Sequence, residues 1–496
     1  PAAGKDEIME NKETALYAAF KTKDPRFDGH FFVGVRSTGI YCRPICRAKL
    51  PKPENCTYFS TAAEAEQEGF RPCLLCRPEL APGSAPVDAT VSLAHRAARV
   101  LEENCGSIEN LEDLAFSMGC SDRHLRRVFS AVYHVSPIQY LQTCRLLLAK
   151  NLLTDTRLSV LDVAMTSGFH SLRRFNDVFK NQYQLTPTAL RKQSGNGEEI
   201  QGQDNITLTL GYRPPYGWKQ LLSFLALRTI PGVEVVKNDA YFRTVRLTVR
   251  QKKTFYGWIR IENRPRKNFL QATVSVSLLP VVPQVLSRIR HLFDLYCDPD
   301  VIYKSLSVMN ALQPNLCVCG TRLTGCFDPF EMAVCAVLGQ QISVKAASTL
   351  AGRLAQTFGL AIETGIEELT HAFPTPQDLL ALDCPIEDTL GPLGISASKS
   401  KTILTLAKAL KEGELSFHFN SEPHMVTAKL LDISGIGPWT AQYLSMRCLG
   451  WTDAFPYTDY GIKKALAPRT EQEILELADK WRPWRSYAAI NIWNSL

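Results

Sequence analysis

Leu431-Asp432-Ile433-Ser434-Gly435-Ile436-Gly437-Pro438-Trp439-Thr440-Ala441 is followed by an acid, Asp459, in Phe455-Pro456-Tyr457-Thr458-Asp459-Tyr460. Gly435 and Gly437 let a backbone turn present its amides to an anion at a helix start, where the helix dipole also favours negative charge. No bulky side chain then stands between the backbone and a phosphodiester. Asp459 lies 20 residues after Trp439, so the intervening helix can return the acid to the same end. A bare Gly-x-Gly is an ordinary turn. The hairpin, the aromatic after it and the spaced acid together point to a nucleic-acid backbone held beside a chemically useful carboxylate.

These residues resemble the helix-hairpin-helix DNA glycosylases, and in detail their AlkA-type alkylation-repair branch. Members that also cut the strand carry a lysine after the hairpin, which forms a Schiff base with the sugar. Here that position is Trp439, which is no nucleophile. The resemblance therefore implies a monofunctional glycosylase that removes 3-methyladenine and 7-methylguanine and leaves an abasic site. Base loss passes through a sugar of oxocarbenium character, which Asp459 is expected to stabilise while orienting water. A base that is already cationic leaves without a second acid. Trp439, Tyr443 and Trp493 match pocket aromatics of this branch, and Phe224 matches one from its smaller domain. A flipped cationic base stacks on such rings, although each aromatic taken alone also reads as packing. Trp439 and Tyr443, four apart, share a helix face. Gln340 and Gln341 are candidates to face DNA, and the hairpin is a candidate seat for a monovalent cation.

The 496 residues suggest three or four domains, with 45% hydrophobic content and no apolar run of membrane-spanning length. The net charge of +7 permits nucleic-acid binding without demonstrating it. Pro1-Ala2-Ala3-Gly4-Lys5-Asp6 shows no signal-peptide core, and the missing initiator methionine suggests trimming or an incomplete chain. Fifteen cysteines without an export signal argue for reduced thiols and metal ligation, hence a cytoplasmic protein, and the resemblance to alkylation-repair enzymes implies a bacterial, nucleoid-associated one. Two polar or Pro/Gly-rich stretches, 81–86 and 194–203, read as linkers.

Cys42-Arg43-Pro44-Ile45-Cys46 and Cys73-Leu74-Leu75-Cys76 give two close thiol pairs separated by 26 residues. Tetrahedral zinc wants four soft ligands, and Cys42, Cys46, Cys73 and Cys76 supply them for one Zn²⁺. Cys56 falls between the pairs and reads as core; Cys317, Cys319 and Cys326 lack a fourth ligand. Arg36-Ser37-Thr38-Gly39-Ile40-Tyr41-Cys42-Arg43-Pro44 with Gly69-Phe70-Arg71-Pro72-Cys73 resembles the N-terminal domain of Ada methylation-response proteins. The resemblance implies that Cys42 irreversibly accepts a methyl group from a methylated DNA phosphate. Four thiolates on Zn²⁺ carry a net charge of −2, which favours attack on a methyl; methylation lowers it to −1 and weakens repulsion of DNA. Thr38, Lys49 and Arg71 are candidate phosphate contacts, Lys49 standing where that family often has arginine.

From Val91 to about Gln193 the pattern is helical. Leu111-Glu112-Asp113-Leu114-Ala115, Gly119 and Ser121-Asp122-Arg123-His124-Leu125-Arg126 return as Val160-Leu161-Asp162-Val163-Ala164, Gly168 and Ser171-Leu172-Arg173-Arg174-Phe175. Each reads as helix, glycine turn and serine-capped basic helix. The tandem resembles the AraC-type DNA-binding domain. That implies Arg123, His124 and Arg126, then His170, Arg173 and Arg174, facing successive major grooves.

The expected fold is multidomain α+β: a small zinc-bound α/β domain over 1–80, an all-α tandem helix-turn-helix domain over 88–193, a small mixed α/β (TBP-like) domain over 206–320, and an all-α helix-hairpin-helix glycosylase domain over 321–496. Strand character marks 241–247 and 273–278. The chain thus reads as a fused adaptive-response protein, combining a zinc-thiolate methylphosphotriester sensor, a transcriptional regulator and an alkylbase glycosylase. Expected partners are alkylated and promoter double-stranded DNA and, for an activator, RNA polymerase, with the chain acting as a monomer. No Pro-Cys-His-Arg occurs, so direct repair of O6-methylguanine is not expected. The rival reading is a transcriptional regulator whose glycosylase half only binds DNA.

Overall fold

The computed structural model describes residues 3–81, 93–108, 110–195, 204–249, 253–418 and 421–496. Both expected linkers fall mostly outside them. The chain divides into two compact units, one of residues 1–214, 266–271 and 279–287, the other of 215–265, 272–278 and 288–496. The segment expected as one domain over 206–320 is therefore shared between the units. Strand Asn205–Gly211 belongs to the first, where the Thr209 amide donates to the Asp155 carboxylate at 3.1 Å.

In the first unit, helix Ala3–Thr22 precedes a four-stranded sheet in the order Cys56–Phe59, Phe32–Val35, Ile40–Cys42, Arg71–Pro72. Strands Phe32–Val35 and Ile40–Cys42 form an antiparallel hairpin whose turn ends at Gly39 (φ 63°), a left-handed position that suits glycine. The last pairing is parallel, Ile40 to Arg71 and Tyr41 to Pro72. That register places Cys42 and Cys73 side by side at the ends of neighbouring strands.

The helical block carries two short-helix pairs, Leu111–Ser117 with Asp122–Tyr133 and Val160–Thr166 with Leu172–Tyr183. Helix Pro137–Asp155 runs between them and opens with a capping box of Ser136 and Gln139. The glycine turns and serine caps read from sequence are present: Gly119 and Gly168 have φ of 68° and 81°, while Ser121 and Ser171 accept from the amides of His124 and Arg174. Phe129, Tyr133, Phe175, Phe179 and Tyr183 turn inward as the core.

Buried carboxylates join this block to the sheet segment. Glu66 accepts from Tyr41 (3.0 Å) and Tyr183 (3.2 Å) on one oxygen and from Thr143 (3.1 Å) on the other. Glu79 pairs with Lys150 and Arg77, and Arg77 also reaches Asp155, Asn151 and Thr154. A polar residue this deep needs every partner.

In the second unit, strands Glu234–Lys237, Ala240–Thr248 and Thr254–Arg264 form an antiparallel meander. The strand expected over 273–278 runs instead over Phe269–Ser275, and the chain then turns into the 3₁₀ helix Val276–Val281. Apart from the short antiparallel pair Leu360–Ala361 and His371–Ala372, most of the remainder is helical around one large apolar core. Arg243, buried between Glu234 and Glu331, ties the meander to helix Pro329–Leu338.

Burial pushes the Glu66 carboxyl up to about 7 from an ordinary 4.5. Its folded-state value is raised, so the stability it contributes is present at low pH and lost as pH rises through that window. Glu66→Gln keeps a neutral acceptor but has no proton to lose. Urea unfolding between pH 4.5 and 7 should show the variant gaining on the parent by about 3 kcal/mol, at roughly 1.36 kcal/mol per pH unit. A constant difference across that range would contradict a proton on buried Glu66.

Candidate functional site

Three sites emerge. In the first unit, the sulfurs of Cys42, Cys46, Cys73 and Cys76 lie within 4.8 Å of one another. Four thiolates at this spacing repel unless a cation sits among them, and four soft donors closing on one point fit one Zn²⁺. Cys42, Cys46 and Cys73 are buried; Cys76 is half-buried. This is the cluster of metal-ligand geometry among the described residues; Cys317, Cys319 and Cys326 form none there.

Arg43, which the sequence does not single out from other arginines, holds this cluster from behind. Its guanidinium pairs with buried Asp28 and donates to the Cys76 carbonyl at 3.1 Å, and its backbone amide donates to the Cys76 sulfur at 3.3 Å. Thr38 lies exposed in the hairpin turn, its hydroxyl donating to the Val35 carbonyl at 3.2 Å. Lys49 is exposed and Arg71 half-buried.

The second site is the pair of basic helices. Arg123, Arg173 and Arg174 are exposed, as are His124 and His170. Arg126 is partly exposed, its guanidinium bound to Asp122 one turn back at 2.7 Å.

The third site is in the second unit. Helix Pro423–Leu431 leads through the hairpin into helix Pro438–Leu449. The two hairpin glycines turn out to differ. Gly435 has φ of 89°, and a Cβ there would lie 2.1 Å from the Thr402 hydroxyl, which itself donates to the Ser434 carbonyl at 2.9 Å. Gly437 has φ of −91° and a Cβ there would meet nothing within 4 Å. Gly435 is needed by the fold, whereas Gly437 keeps an outer face bare. Gln340 pins the turn, its amide donating to the Gly435 carbonyl (2.9 Å) and the Thr440 hydroxyl (3.0 Å). That amide therefore faces the hairpin, while Gln341 is exposed with φ of 61°.

Asp459 caps helix Tyr460–Ala465, accepting from the Ile462 amide at 3.1 Å. The same oxygen accepts from the Trp493 indole at 2.9 Å, and the other from the Trp439 indole at 2.8 Å. Trp439 stacks on Tyr443 at 5.1 Å and 8°. Tyr443 meets Trp493 edge-on at 6.1 Å, and Trp493 lies nearly parallel to Phe224 at 6.4 Å. Residues far apart in sequence are thus gathered around one carboxylate.

Two guanidiniums attend these rings, and no sequence motif announced them. Arg447, 1% exposed, donates to the Tyr443 hydroxyl at 2.5 Å and twice to the Gly325 carbonyl. Arg228 lies over the Phe224 ring. Gly461 was missed too; a Cβ there would come within 3.1 Å of the Asp459 carboxylate and 3.4 Å of Trp493.

Four family models match the chain: the metal binding domain of Ada over residues 15–79, a helix-turn-helix domain over 114–193, the AlkA N-terminal domain over 207–328, and the HhH-GPD superfamily of base excision DNA repair proteins over 334–469. A probable bifunctional transcriptional activator/DNA repair enzyme AlkA of Mycobacterium tuberculosis is 34% identical over 487 residues, covering 97% of this chain and 96% of that one. DNA-3-methyladenine glycosylase 2 of Escherichia coli is 36% identical over 58% of this chain and 96% of its own length. The bifunctional transcriptional activator/DNA repair enzyme Ada of Escherichia coli is 40% identical over 25% of this chain and 33% of its own.

The unlike glycines generate a test. Gly435→Ala should destabilise the second unit by at least about 2 kcal/mol through left-handed strain and the Thr402 contact. Gly437→Ala should leave melting unchanged but weaken duplex DNA binding about tenfold, or about 1.4 kcal/mol. Equal melting and equal DNA affinity for both variants would remove the distinction.

Proposed function

Because the chain belongs to the family of bifunctional transcriptional activator/DNA repair enzymes of the AlkA type, we propose that it excises alkylated bases, 3-methyladenine and 7-methylguanine among them, and senses methylated DNA phosphates. The observation that carries the glycosylase reading is the Asp459 carboxylate held between two indole N–H groups within a set of aromatic rings. A carboxylate has about four acceptor sites. Trp439, Trp493 and the Ile462 amide occupy three, which leaves one for water or for the sugar cation. The rings supply stacking for a flipped cationic base.

In this reading the C1′–N bond breaks with its electron pair leaving on the base. Asp459 stabilises the sugar cation, and water adds at C1′ with its proton passing to the carboxylate. Trp439 at the position after the hairpin supports base release without strand cleavage. Bare Gly437, with Gly435 shaping the turn, offers the backbone to a phosphate, and the same hairpin is the seat proposed for a monovalent cation.

For the sensor, Cys42 is the methyl acceptor, with Cys46, Cys73 and Cys76 completing the zinc ligands. Bound zinc keeps the acceptor a thiolate at neutral pH. The Cys42 sulfur forms the new S–CH₃ bond as the methyl–oxygen bond of the phosphotriester breaks, returning a phosphodiester. Thr38, Lys49 and Arg71 contact the phosphates. Arg123, Arg126, Arg173 and Arg174 contact promoter DNA. The division into segments 1–80, 88–193, 206–320 and 321–496 follows these tasks. RNA polymerase is the proposed partner of the activator, and the chain acts as a cytoplasmic monomer. No described helix is long and apolar enough to cross a membrane.

Incubation with DNA bearing methylphosphotriesters should add one methyl to Cys42, located by peptide mass spectrometry. Prior removal of zinc with a chelator should abolish the transfer. A methyl on Cys46 instead would overturn the assignment.

Alkylated duplex should release 3-methyladenine without strand breaks until alkali is added. Asp459→Asn should lower that rate by about 10²–10³, the usual cost of a lost preorganised electrostatic partner. Asparagine also offers one acceptor oxygen where two indoles need two, so tryptophan fluorescence should change as well. Full base release by this variant would place the catalytic acid elsewhere.

A further inference from the structure

The ring of Phe224 already carries a cation. Arg228, just past the end of helix Trp218–Ala226, sets its guanidinium carbon 3.7 Å from the ring centroid. Its Nη1 donates to the Phe224 carbonyl at 3.0 Å, and its guanidinium also interacts with the Tyr443 side chain. The residue is half-buried. Arg447 is 5.1 Å from the same ring but is fixed by three hydrogen bonds and fully buried. Among the described residues no carboxylate forms an ion pair with either guanidinium. Burial and the nearby Arg447 charge both work against the Arg228 charge, while Tyr443 and Asp459 favour it. One guanidinium is therefore built in by three hydrogen bonds, and the other rests on an aromatic face with fewer bonds to hold it.

We propose that Arg228 is a placeholder cation whose guanidinium occupies the face of Phe224 that a flipped cationic base takes, so that it sets the preference for cationic over neutral bases. This rests on the glycosylase reading above. A base that displaces the guanidinium forfeits its cation–π contact with the ring. A methylated purine carrying a positive charge restores that contact; a neutral purine does not. The displaced side chain reaches water, where its repulsion of the incoming cation is weak. Arg228 is thus a specificity-determining residue that takes no proton and forms no bond with the sugar.

The test uses the full chain and two duplex probes of similar purine shape, one containing 7-methylguanine and one containing hypoxanthine, a neutral base. Single-turnover release is measured for the parent, Arg228→Ala and Arg228→Lys, with melting temperatures checked first. The parent should prefer 7-methylguanine. Arg228→Ala should reduce that preference about tenfold, a change of about 1.4 kcal/mol, by speeding hypoxanthine release. Arg228→Lys, which keeps a movable charge, should retain most of the preference. An unchanged ratio in Arg228→Ala overturns the inference while leaving the glycosylase reading intact. Slower hypoxanthine release also overturns it, because Arg228 would then be a donor to the base. Equal loss on both probes, unrescued by lysine, would make the residue structural. A parent that releases neither base removes the glycosylase reading and this inference together.

Discussion

One carboxylate serving two indoles organises the catalytic half of this protein. A half-buried indole N–H left without an acceptor is costly, and Trp439 and Trp493 meet that need on opposite oxygens of Asp459. Three segments converge as a result: helix Pro438–Leu449, helix Tyr460–Ala465 and helix Arg485–Asn494. Tyr443 stacks on one of the two oriented indoles and Phe224 lies against the other. The group proposed to carry the reaction is also the group that positions its aromatic surroundings.

The hairpin beside it is held from two sides before any DNA arrives. Thr402 on helix Ala397–Glu412 and Gln340 after helix Pro329–Leu338 fix the carbonyls of Ser434 and Gly435, and Lys399 in turn fixes the carbonyls of Leu338 and Gln340 at 2.8 Å. With its carbonyls engaged inward, the turn is left with a bare outer face at Gly437. Such preorganisation lowers the ordering cost of binding. In the sensor the same economy appears as strand register: parallel pairing of Tyr41 with Pro72 does the work of bringing distant thiols to one point.

What could be read from the amino-acid order follows from how local each signal is. The paired thiols, the tandem glycine turns with their serine caps, and the hairpin with its acid are short patterns whose chemistry dictates their spacing. Trp439 and Tyr443 were legible as neighbours because a helix puts residues four apart on one face. Arg228, Arg447, Arg43 and Gly461 were not, since each acquires meaning only from partners tens or hundreds of residues away. Arg126 shares its helix face with Asp122 one turn earlier and pairs with it there. The unequal roles of Gly435 and Gly437 were hidden for the same reason, since Thr402 supplies the difference. The division of the segment after 206 between two compact units was likewise not legible, since strand Asn205–Gly211 finds partners such as Asp155 on a different helix.

The buried bonds from Glu66 to Thr143 and Tyr183, and from Glu79 to Lys150, bear on how such fusions can be inherited. The family models treat the metal-binding and helix-turn-helix segments as separate matches, over 15–79 and 114–193. A recombinant that joined the first segment of one lineage to the second of another would strand a carboxylate in the interior unless both lineages kept the same partners. Homologous chains should therefore exchange these two segments together, and Glu66, Thr143 and Tyr183 should change in concert over evolutionary time.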